Sequence, residues 1–87
     1  MTKRSTLING IRSVIDDVAE SLPAEVITEA KDFLDYDEWG LALETICTQL
    51  YEYDVAISDE LYKTIERLGQ QMKMSSEEWT MLKELVQ

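Results

Sequence analysis

Asp35-Tyr36-Asp37-Glu38-Trp39-Gly40-Leu41-Ala42-Leu43-Glu44 is the stretch on which the fold turns. Acids and aromatics crowd its first half. Its second half opens an apolar pattern, Trp39, Leu43, Ile46, Cys47 and Leu50, whose spacing is that of one helical face. The pattern predicts a helix from about Asp37 to Glu52. Asp35 and Glu38, three apart ahead of the apolar run, read as a capping box with aspartate as the cap. Gly40 in the first turn suggests a tight helix crossing. The periodic residues face inward and the acids outward, so the same residues build a core and present a surface.

Similar stripes flank this segment. Upstream, Val26, Ile27, Ala30, Phe33 and Leu34 form the inward side of a helix with Pro23 in its first turn and Ser21 or Leu22 as its cap. Before that, Leu7, Ile11, Val14, Ile15, Val18 and Leu22 predict an amphipathic helix over roughly residues 6–20. Gly10 weakens it by about 1 kcal/mol relative to alanine, and close packing is the expected return. Downstream, Ser58 reads as an N-cap, with Ile57 and Tyr62 placed as a hydrophobic staple and Asp59 and Glu60 in the first turn. Leu61, Ile65, Leu68 and Met72 are the stripe of that helix, which Gly69 either serves or ends. The last helix opens on a capping box, Ser75 and Glu78, with Met74 and Trp79 as staple, and turns Trp79, Leu82, Leu85 and Val86 inward. These segments predict an all-α fold: a small bundle of about five amphipathic helices joined by short connections, in a single domain over residues 1–87.

No unbroken apolar run of signal-peptide type follows the basic start, because Asn9, Gly10 and Arg12 interrupt it, and no segment approaches the roughly 20 apolar residues of a membrane span. A single cysteine, Cys47, permits no intrachain disulfide and fits a reducing compartment. A cytoplasmic location is the expectation. Cys47 lies inside an apolar stripe and reads as a core thiol. Histidine is absent, which removes the usual general base and the commonest metal ligand.

The charge is far from balanced. Eight basic residues against eighteen acids give a net charge of −10. Residues 16–60 hold fourteen of those acids and only Lys31 as a base. Two acidic lobes stand out, one around Asp32, Asp35, Asp37 and Glu38, the other around Glu52, Asp54, Asp59 and Glu60. Tyr36, Tyr51 and Tyr53 lie among them, and tyrosine serves protein interfaces with both its ring and its hydroxyl. An acidic surface aids solubility wherever it occurs, and Tyr36 and Tyr53 are also placed to seal the ends of a bundle. Concentration of one sign in half of the chain points beyond solubility to a basic partner, with opposite potentials speeding encounter. Direct binding to nucleic acid or an anionic membrane is disfavoured by the same charge.

No carboxylate pair is framed as acid and base by a recognisable pocket. Asp35, Asp37 and Glu38 lead into Trp39-Gly40 and apolar residues, so they lack the spaced ligands of a calcium loop. There is no glycine-rich phosphate loop and no CxxC pair. The expectation is a binding protein with no cofactor, no metal and no enzymatic activity. A helical chain this acidic could also present carboxylates where a nuclease expects phosphates.

The string Asp37-Glu38-Trp39-Gly40-Leu41-Ala42-Leu43-Glu44, followed by Ile46, Leu50 and Tyr51, resembles the central segment of the MafI-like immunity proteins. Ile57-Ser58 before one helix and Met72 through Trp79 before the last resemble the family's later half, and the likeness spans about residues 22–85. These small acidic helical proteins accompany polymorphic toxins, including those of contact-dependent growth inhibition systems. The resemblance implies an immunity protein that binds the C-terminal domain of a cognate toxin in the cytoplasm and neutralises it. Many such toxins are nucleases, often ones that cleave transfer RNA. The residues expected to contact the toxin are Asp32, Tyr36, Asp37, Glu38, Glu44, Tyr51, Glu52, Tyr53, Asp54, Asp59 and Glu60. The alternative is a small helical adaptor or self-associating module that uses the same helices as a homodimer interface.

Overall fold

The computed structural model describes residues 3–87. Five α-helices and one 3₁₀ segment follow in order: α1 Lys3–Val18, α2 Ala24–Asp35, α3 Trp39–Glu52, α4 Asp59–Gln71, α5 Glu77–Thr80, and the 3₁₀ turn Met81–Leu85. The architecture is the expected small all-α bundle. α2 and α3 pair as a tight hairpin; α1 lies across α2, α3 and α4, and α5 closes over α3 and α4. Ile11, Ile15, Leu43, Ile46, Leu50, Ile65 and Leu82 are fully buried, and every helix of the bundle contributes to one core. No charged or polar side chain is buried among the described residues.

The predicted stripes are the buried stripes, with Phe33, Trp39, Leu61, Met72 and Val86 only partly buried at their margins. The ends of the helices follow different rules from those expected. α2, α3 and α4 all stop the same way, at a residue in the left-handed region: Asp37 (φ 61°), Asp54 (φ 53°) and Lys73 (φ 58°). In each case two backbone bonds close the turn. Glu38 N–H donates to Phe33 O and Asp37 N–H to Leu34 O; Val55 donates to Leu50 and Asp54 to Tyr51; Met74 donates to Gly69 and Lys73 to Gln70. This is the Schellman closure, in which glycine is the usual left-handed residue because it has no Cβ to crowd the carbonyl. None of the chain's three glycines occupies such a position.

This closure overturns the capping box assigned to Asp35 and Glu38. Asp35 is the last residue of α2, and Glu38 precedes α3 with no side-chain cap bond. The connector is too short to place Asp35 ahead of α3, and backbone bonds satisfy the free carbonyls instead. Two other caps shift as well. Pro23 itself sits at the N-cap of α2, so neither Ser21 nor Leu22 caps it. Ser75 accepts from Glu77 N–H at 3.3 Å, one residue earlier than a capping box requires, and Ser76 holds the N-cap position of α5. The first helix begins at Lys3 and ends at Val18, earlier at both ends than predicted.

Ser58 behaves as expected. Its Oγ accepts from Leu61 N–H at 3.0 Å, and the flanking Ile57 and Tyr62 are both buried. Ser58→Ala is expected to lower stability by about 1 kcal/mol, measurable by urea unfolding, because it orphans that donor.

The last segment is one α-helical turn followed by a 3₁₀ turn rather than a full helix. Trp79, Leu82 and Leu85 are buried and spaced by three. With three residues per turn, a 3₁₀ helix stacks such residues on one side, while leaving Lys83 in solvent. The chain is then pinned by a bridge: Ile57 N–H donates to Leu85 O and Gln87 N–H to Ile57 O, both at 3.0 Å.

Two glycines mark close helix contacts. A Cβ on Gly69 would stand 2.3 Å from the Trp79 ring, and one on Gly10 would stand 2.7 Å from Leu68. Gly69 therefore does not end α4, which continues to Gln71. Gly40 meets nothing within 4 Å, so no tight crossing depends on it.

Candidate functional site

A groove of about 680 Å³ opens where the α2–α3 connection meets the end of α4 and the start of α5. Asp37, Glu38, Trp39, Gly40, Leu41 and Glu44 form one side of it. Gln71, Met72, Met74, Ser75 and Glu78 form the other, and Leu7 of α1 also lines it. Leu41 stands off the buried stripe of α3 and is 42% exposed, so this wall offers apolar surface as well as charge. Tyr36, next to the groove in sequence, is 80% exposed and seals nothing.

Glu44 and Glu78 meet across the groove from α3 and α5. Burial first, then the Glu44 charge, a hydrogen bond to Glu44 and the Glu77 charge raise the Glu78 pKa above its ordinary value. A raised carboxyl pKa in the folded state favours stability below the unfolded value of 4.5 and withdraws that gain as pH rises through the folded value. Glu78→Gln, which keeps the donor and removes the charge, is expected to raise the melting temperature at pH 7 and to leave it nearly unchanged at pH 4.

At the groove's edge the chain seats one of its own cations. Arg4 donates to Asp37 Oδ2 at 2.8 Å, and its guanidinium lies 5.5 Å from the centroid of the Trp39 ring. Both charged partners are more than half exposed, so the pair contributes little stability. It does decide which acids are available. Asp37 is already neutralised, whereas Glu38, Glu44 and Glu78 carry no ion pair among the described residues.

The expected contact residues divide. Asp37, Glu38 and Glu44 line the groove. Asp32 lies apart, on the outer side of α2 beside Glu25 and Glu29. Tyr51, Glu52, Tyr53 and Asp54 are exposed at the far end of α3, near Asp59 and Glu60 in the first turn of α4. The 14 residues of α3 span about 21 Å, which sets the two lobes at opposite ends of one helix. Asp59 is engaged by Lys63 at 3.0 Å. Glu78, Met72, Met74 and Leu41 are groove residues that the sequence reading placed elsewhere or left unassigned, and Arg4 meets the groove's edge through Asp37 and Trp39. Leu41 was the available signal, an apolar residue out of phase with its own helix.

Cys47 is fully buried beneath this wall. Burial, with the Glu78 and Glu44 charges behind it, pushes its thiol up to about 12, so the thiolate required of a nucleophile is suppressed. No group of three or more potential ligating side chains capable of holding a metal occurs among the described residues. None of the described helices is long and apolar enough to cross a membrane. No family model, curated protein or solved structure matches the chain.

Proposed function

We propose that this chain is an immunity protein of the MafI-like kind, which binds a basic toxin domain, with a nuclease as the favoured class, and neutralises it in the cytoplasm. The observation that carries the reading is the groove between α3 and α5. It joins exposed apolar surface to Glu38, Glu44 and Glu78, which carry no ion pair among the described residues, and one part of it is the string Asp37–Glu44 on which the family resemblance rests. Such a surface suits a protein whose cleft is lined by arginine and lysine to hold phosphates. The net charge of −10 supplies long-range attraction, and the groove supplies a place for the contact to close. Neutralisation is stoichiometric and requires no chemistry from this chain. The protein either covers the catalytic cleft or occupies a neighbouring surface that the nucleic acid must cross.

The reading is tested by capture from the source cell, using the tagged chain as bait, with elution by salt and mass spectrometry of the eluate. A single basic partner that elutes as salt rises, and that cleaves RNA or DNA once freed, is the expected result. Recovery of only the chain itself would favour the self-associating module.

A further inference from the structure

We infer that the Glu44–Glu78 side of the groove is the seat of an arginine side chain from the partner, taken in the way the chain already takes its own Arg4. This deepens the proposed function and rests on it for the identity of the partner, though not for the chemistry of the seat.

Arg4 shows what the groove's rim selects. Its guanidinium has a carboxylate at 2.8 Å and an indole face at 5.5 Å, a combination that suits a planar, weakly hydrated cation better than an ammonium. The seat is filled only at that edge. Further along the same groove Glu44 of α3 and Glu78 of α5 both line it, and neither is paired with a cation among the described residues. Two adjacent carboxyl oxygens match the forked donors of a guanidinium. Met72, Met74 and Leu41 supply apolar surface for its aliphatic stem, and methionine adapts its shape to such a guest. The groove's volume, about 680 Å³, leaves room for it beside Arg4. Lys73, which falls between Met72 and Met74, is exposed and does not line the groove. An arriving arginine also places a cation between Glu44 and Glu78, converting two neighbouring like charges into a bridged pair.

The test uses the intact protein, isotopically labelled, titrated with N-acetyl-arginine amide at pH 7 and followed by NMR. N-acetyl-citrulline amide, the neutral isostere, is the control. The expected result is saturable movement of the Met72 and Met74 methyl signals and the Trp39 indole N–H, with citrulline at least tenfold weaker. Glu44→Gln/Glu78→Gln should weaken arginine binding at least fivefold while leaving the rest of the spectrum in place. Equal movement at Asp54 and Glu60 would overturn the assignment, since it would show diffuse attraction to acid. So would a Gln double variant that titrates like the parent. A captured basic partner whose affinity ignores the Gln double variant would also overturn the seat, yet leave the immunity reading intact. Arginine binding in the groove without any basic partner would support the seat and remove that reading.

Discussion

Trp79→Ala is expected to destabilise the protein by about 3–5 kcal/mol, the range for deleting a buried aromatic. A chain of 87 residues has a total stability on the order of 4–13 kcal/mol, so the variant should be unfolded or nearly so at moderate temperature. The reason is position as much as size. Trp79 is 2% exposed, sits in the one α-helical turn of the last segment, and packs closely against Gly69 of α4. It is the contact through which the end of the chain closes one side of the bundle. The reciprocal change makes the argument specific. Gly69→Ala in an open helix would add about 1 kcal/mol of stability, but here the new methyl would meet the ring at 2.3 Å. Overpacking of that kind costs about 1–3 kcal/mol, so a net loss is expected. Gly40→Ala, with nothing within 4 Å, should be neutral or stabilising. Denaturant unfolding of Gly69→Ala in the parent and in a Trp79→Leu background checks the coupling. The alanine should be tolerated better once the indole is gone.

The second large effect concerns capture of the partner. Neutralising Glu38, Glu44 and Glu78 with glutamine should lower the association rate with the captured basic protein tenfold or more at low salt, and should flatten its dependence on ionic strength. The matching change at the far end of α3, Glu52→Gln/Asp54→Asn/Glu60→Gln, removes the same formal charge and should slow association much less. Asp37 is left out of the first set deliberately. Removing it would free Arg4 at the groove's edge and place a positive charge where the partner's cation is expected. Stopped-flow measurements of both variants against salt decide the matter. Equal slowing by the two sets would mean that total charge, rather than the groove, governs encounter.

The parts of the fold legible in the sequence are those fixed by burial. Helical stripes such as Leu7-Ile11-Val14-Ile15-Val18 and Leu43-Ile46-Cys47-Leu50 carry their own period, and a core must lie along them. The helix ends were harder to read because their signals were backbone ones. Asp37, Asp54 and Lys73 take left-handed conformations that sequence reasoning assigns to glycine, and the backbone bonds that hold them leave no mark in residue type. The final 3₁₀ turn was legible in principle, since Trp79, Leu82 and Leu85 repeat every three residues, but Val86 completed an α-helical pattern equally well. The acidic surface was visible as composition. Its division into a groove and a remote lobe was not, because that depends on the length of α3 and on contacts between residues far apart in the chain, such as Arg4 with Asp37. Glu78 shows the limit most clearly: its place three residues after Ser75 matched a cap, while its carboxyl turns to Glu44 on another helix.

The proposed function is stoichiometric capture of a basic nuclease domain. It is tested most directly by titrating the captured partner's nucleic-acid cleavage with the purified chain. Cleavage that falls linearly and ends at one equivalent, with Glu44→Gln/Glu78→Gln requiring clear excess, is the result expected. Cleavage that continues undiminished with the chain in tenfold excess would contradict it.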